Sequence, residues 1–197
     1  MMIPMRALSA ALLLCCVVAA CARKAPVDES AVGGANHTAA AAGCLPGGEG
    51  RLEASLRGAI DADLAWRDAQ MQCDGDLRPD GSGLRITLAG PHAGRQLRFI
   101  FGIDLADADD GPAQVLPTNL TVMVEGERLL FATRGSDRCA AEQLVRTPVA
   151  AGIERVAVRG YCLDPASDLA GTARLFVRTF SFTALLRRAR GEDGARE

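Results

Sequence analysis

From Leu52 to Trp66 the chain alternates. Leu52, Ala54, Leu56, Ile60, Ala62, Leu64 and Trp66 share one parity, while Arg51, Glu53, Ser55, Arg57, Asp61, Asp63 and Arg67 share the other. A period of two marks a half-buried strand. The parity continues through Gly58-Ala59, which predicts one long strand bent at a glycine rather than a hairpin. Similar patterns predict strands over Ala69–Leu77, Gly83–Ala89, Gln96–Ile103, Asn119–Glu125, Arg128–Thr133, Ile153–Cys162 and Arg174–Thr183. Leu84, Ile86 and Leu88 fall on one face, as do Leu97, Phe99, Phe101 and Ile103. Turn signals separate these runs at Pro79-Asp80-Gly81, Ala89-Gly90-Pro91 and Glu125-Gly126-Glu127. At most one short helix is expected, with Ala140–Val145 the candidate. The fold class that follows is all-β, an antiparallel sandwich or barrel of about eight strands.

The ends of the chain do not share this pattern. Arg6 is the only charge in residues 1–20, and the apolar stretch Ala7–Ala20 that follows it is 14 residues long. A membrane-spanning helix needs about 20 residues. A short basic region, a short apolar run and small residues at its end read as a secretory signal, residues 1–20. Residues 21–43 lack large apolar side chains at regular spacing and read as a flexible tether with a reach of about 25 Å. Residues 44–186 form the expected β domain, large enough for one core. Residues 187–197, rich in Arg, Glu and Gly, read as a disordered tail.

Val18-Ala19-Ala20-Cys21 resembles the lipobox of bacterial lipoproteins, with Val18 where the family prefers Leu. The resemblance implies that Cys21 is lipidated and becomes the first residue after cleavage. Ala22, rather than Asp, implies sorting to the outer membrane on its periplasmic face. The folded region resembles a set of uncharacterised exported proteins of Gram-negative bacteria. The resemblance lies in Gly58-Ala-Ile, Ala65-Trp-Arg, Gln72-Cys-Asp-Gly-Asp-Leu-Arg-Pro-Asp-Gly, Leu116-Pro-Thr-Asn-Leu-Thr, Val124-Glu-Gly and Tyr161-Cys. That likeness carries an expectation of fold and none of activity.

With Cys15 and Cys16 in the signal and Cys21 acylated, Cys44, Cys73, Cys139 and Cys162 remain. An even number in an exported domain predicts disulfides. Three connectivities are possible. Because sequential strands are usually neighbours, Cys44–Cys73 and Cys139–Cys162 are favoured. No Cys-x-x-Cys occurs and no His lies near these cysteines, which disfavours a metal site.

Charge changes the functional picture mainly by exclusion. The chain has 22 basic and 24 acidic residues, a formal net charge of −2, so it lacks the basic field that nucleic-acid binding requires. Of two histidines, His37 lies in the tether and His92 in a turn, where it reads as solvated rather than as a general base. No nucleophile elbow, zinc-protease motif or phosphate-cradling loop is present. Asp61 and Asp63 read as a solvent-facing strand edge with Arg57 and Arg67 as partners. Trp66, on the apolar parity, is expected in the core. Asp104, Asp107, Asp109 and Asp110 cluster before Gly111, and oxygen ligands on a loop suit Ca²⁺. No distal Glu continues the spacing, so a solvated loop is the expectation and a calcium site the weaker alternative. No cofactor is expected. The function expected is a lipid-anchored, non-catalytic module that binds or supports an envelope protein or glycan. The alternatives are an exported hydrolase and an inhibitor of an envelope-acting enzyme.

Overall fold

The computed structural model describes residues 44–78, 80–105, 115–135 and 137–188. These residues form eleven strands in one sheet: β1 (Arg51–Gly58), β2 (Ala62–Arg67), β3 (Gln72–Leu77), β4 (Gly83–His92), β5 (Arg95–Asp104), β6 (Leu116–Val124), β7 (Leu129–Ala132), β8 (Cys139–Ala150), β9 (Ile153–Cys162), β10 (Ala166–Asp168) and β11 (Arg174–Arg187). A single 3-10 turn, Asp68–Gln70, joins β2 to β3, and no α-helix occurs among the described residues. No helix there is long and apolar enough to cross a membrane.

Seven of the strands, β3-β4-β5-β6-β8-β9-β11, close into a barrel. It is mixed rather than purely antiparallel, because β3 meets β11 in parallel at Asp76 and Arg187. The 14-residue β11 holds the fold together. It pairs with β1 and then β3 along one edge, and with β10 and then β9 along the other.

Inward residues alternate along every long strand. Leu97, Phe99, Phe101 and Ile103 of β5 face Leu84, Ile86 and Leu88 of β4 and Phe180 and Phe182 of β11, all essentially inaccessible. Phe101 is the hub, its ring centroid 4.9 Å from that of Phe180 and 4.7 Å from that of Phe182. These rings fill the barrel, so its interior is a packed core rather than a ligand chamber.

Trp66 closes one end. Its ring lies edge-on to Phe99 at 5.7 Å, and its Nε1–H donates to the Pro91 carbonyl at 2.9 Å. Gly90 makes this possible, because a Cβ there would stand 2.6 Å from the indole. Gly90→Ala is therefore expected to cost about 1–3 kcal/mol, since neither ring nor strand can retreat without losing the Nε1 bond. A chemical-denaturation midpoint equal to that of the parent protein would contradict this placement.

Several sequence expectations change. Leu52–Trp66 is a hairpin, not a bent strand. Gly58, at φ 104°, ends β1, and Asp61 accepts its N–H at 3.1 Å. Leu52 pairs with Trp66 and Ala54 with Leu64, so the three-residue loop returns even positions to even positions. Parity alone cannot separate this hairpin from a straight strand. Ala140–Val145 is strand, not helix: Cys139–Ala150 is zipped along β9, and tertiary pairing overrides local helix propensity. Asp68–Gln70 takes the start of the expected Ala69–Leu77 strand. The β11 strand runs to Arg187, and Arg188 donates its backbone N–H to Gly152, so the ordered chain extends past the expected tail boundary.

Both expected disulfides are present. Cys44–Cys73 fastens the segment before β1 to β3, and Cys139–Cys162 joins directly opposed residues of β8 and β9.

Candidate functional site

With the interior filled, two hollows among the described residues lie outside the barrel on one sheet face. That face is built by the five antiparallel strands β2-β1-β11-β9-β8, whose outward residues align in cross-strand rows. One row reads Asp63, Ser55, Thr179, Tyr161. The next reads Ala65, Glu53, Ser181, Arg159, Gln143, and the third Arg67, Arg51, Thr183, Ala157, Val145. The central strand supplies only hydroxyls to the floor, Thr179, Ser181 and Thr183, alternating with the core residues Phe180 and Phe182. Small floor residues flanked by long charged ones leave a trough.

The first row and the second as far as Arg159 line a depression of about 650 Å³, which Glu142 also borders. Arg57 binds Asp63 at 3.0 Å, and this hydrogen bond holds the Asp63 carboxyl below its ordinary range. The third row lines a second depression of about 490 Å³, under the loop through Gly48, Glu49 and Gly50. Asp68 supports that loop by accepting the N–H groups of Leu45 at 2.9 Å and Gly50 at 2.8 Å. Glu49 pairs with Arg155 across the hollow. The trough is thus more basic at the Arg51–Arg67 end and more acidic at the Glu53–Asp63 end.

The other sequence candidates fall elsewhere. His92 and Asp61 line one small hollow of about 210 Å³ together with Arg95, but no Ser, Thr or Cys borders it. Asp61 spends a carboxylate oxygen on the turn at Gly58. A nucleophile, base and orienting acid are not assembled there. Asp104 ends β5, whereas Asp107, Asp109 and Asp110 lie outside the described residues. Cys21 and His37 also lie outside them. Among the described residues no three His, Cys, Asp or Glu side chains converge as metal ligands. Arg67 pairs with neither Asp61 nor Asp63. It faces Arg51, a placement the local sequence did not disclose.

Comparison with family models, curated proteins and solved structures finds no match to this chain.

Proposed function

We propose that this protein is a lipid-anchored, non-catalytic binding module on the periplasmic face of the outer membrane, and that it engages an envelope protein or glycan through the outer face of β2-β1-β11-β9-β8. The observation that carries the reading is the trough on that face, set against an interior filled by aromatic side chains. Ligand sites are concave and combine apolar walls with a few placed polar groups. The floor hydroxyls and flanking charges of this trough fit that description. The Val18–Cys21 motif behind an apolar run supports the anchor. The two disulfides agree with an oxidising compartment.

The test places a photo-crosslinking side chain at Ser181, mid-trough, or at Arg85, on the exposed side of β4, in the full chain within its own envelope. Ser181 is expected to give an envelope adduct that Arg85 does not. Equal adducts, or none at Ser181, would remove the binding-face reading. In the same cells Cys21→Ser is expected to shift the protein out of the membrane fraction or block its maturation. Wild-type processing and membrane recovery of that variant would remove the anchor.

A further inference from the structure

Two independent features meet in the hollow under the Gly48–Gly50 loop. The first is electrostatic. Arg51 and Arg67 stand directly opposite each other on β1 and β2. Like charges so placed repel and cost stability, yet neither guanidinium has an ion-pair partner among the described residues. The nearby carboxylates are engaged: Glu49 with Arg155, and Asp68 with two backbone N–H groups. Three arginines against two carboxylates leave the hollow positive.

The second feature is a hydroxyl. Thr183 follows Arg51 in the same row and is only 6% exposed. Its side chain makes no hydrogen bond among the described residues, yet its oxygen is not sealed from solvent and it lines the hollow. That oxygen is therefore open to whatever occupies the hollow, water or a ligand. Two guanidinium groups unpaired among the described residues and a solvent-open hydroxyl on one hollow are the donor half of a site.

We infer that this hollow binds a phosphate group, with Arg51 and Arg67 supplying the charge and Thr183 a third donor. A carboxylate is planar and is satisfied by one guanidinium fork. Two guanidinium groups side by side on strands about 5 Å apart bring two positive charges to one hollow and suit a tetrahedral, near-dianionic group. The inference rests on the reading of this sheet face as the binding surface and names the chemistry at its basic end. Free phosphate, a phosphorylated glycan and a lipid headgroup share that chemistry.

The full lipidated chain, held in a non-ionic detergent, is titrated calorimetrically with inorganic phosphate, with glucose 1-phosphate, and with phosphatidic acid doped into the micelles. Acetate and chloride at equal ionic strength are the controls. Phosphate is expected to bind above the controls, and whichever of the three probes binds tightest identifies the source. Arg51→Gln and Arg67→Gln each weaken binding about tenfold or more, the scale of one lost charge-assisted hydrogen bond. Thr183→Val, close in shape, weakens it by about threefold to tenfold. Neither arginine variant melts below the parent protein, because each relieves the Arg51–Arg67 repulsion; a merely structural pair would lower the melting temperature when broken. Binding no stronger than acetate, or binding indifferent to Arg51→Gln, overturns the assignment. If the Ser181 adduct persists in that case, only the phosphate assignment falls. If phosphate binds as expected and the adduct is absent, the phosphate site stands and the envelope-binding role falls.

Discussion

Phe101→Ala is expected to remove about 3–5 kcal/mol of stability, the range for truncating a fully buried aromatic side chain. Phe101 is 0% exposed. It packs against Phe99 on its own strand and against Phe180 and Phe182 on β11, which is not hydrogen-bonded to β5, so it ties opposite sides of the barrel together. Its removal costs the transfer free energy of the ring and opens a void that a closed sheet cannot collapse to fill. For a domain of this size the melting temperature should fall by roughly 10–15 °C. Phe101→Leu, which keeps most of the volume, should lose far less. Urea unfolding with both disulfides intact gives the measurement, read as a midpoint shift at constant slope. A loss below about 1 kcal/mol would mean that the β5–β11 interface is not the core.

That core was legible in the sequence for a simple reason. Leu97, Phe99, Phe101 and Ile103 are buried on one face of one strand, and so are Leu84, Ile86 and Leu88, so local alternation maps directly onto burial. Strand partners were not legible in the same way. The parallel contact of β3 with β11 joins residues 76 and 187, and no local pattern records it. The β8 strand was misread because Ala-Ala-Glu-Gln-Leu-Val favours helix in isolation, while its pairing with β9 and the Cys139–Cys162 bridge fix it as strand. The β10 strand, three residues long, was too short to show a period.

The binding face was hidden for a related reason. The row Arg67, Arg51, Thr183, Ala157, Val145 draws one residue from each of five strands, and only the register assembles it. One sequence signal did point there. In Thr179-Phe-Ser-Phe-Thr183 the core face is aromatic while the opposite face is uniformly small and hydroxylated. Small hydroxylated positions repeated on the outer face of a long central strand make a low floor, and a floor between charged neighbours is a trough. The disulfide pairing was legible because each bridge joins segments that adjacency rules already bring together.

The double variant Arg146→Met/Arg188→Met should destabilise the fold by about 3–5 kcal/mol at neutral pH, the cost of leaving a buried charge without its partners. Glu154 on β9 has a carboxylate only 4% exposed. Burial pushes its protonation equilibrium upward, but hydrogen bonds from Arg146 and Arg188 outweigh that and hold it below its ordinary value of 4.5. Arg146 Nε and Arg188 Nε each donate to it at 2.6 Å, one from β8 and one from just beyond β11. The triad therefore fastens the β8–β9 hairpin to the end of β11. In the parent protein the stabilisation is complete above pH 4.5 and is lost as pH falls through the lowered folded-state value, because the unfolded chain then binds more protons. Without the arginines only burial remains, and the folded-state value rises above the unfolded one. Stability should then fall as pH rises from about 4.5 toward 7, where this group gives the parent no slope. Glu154→Gln removes the buried charge itself and leaves two arginines that reach water, 29% and 59% exposed. It should cost at most about 1–2 kcal/mol and show neither slope. Urea midpoints for the three proteins between about pH 2 and 7 decide the matter. A double variant whose stability stays flat from about pH 4.5 to 7, as the parent's does, would mean that Glu154 reaches solvent and that the arginines act only through packing.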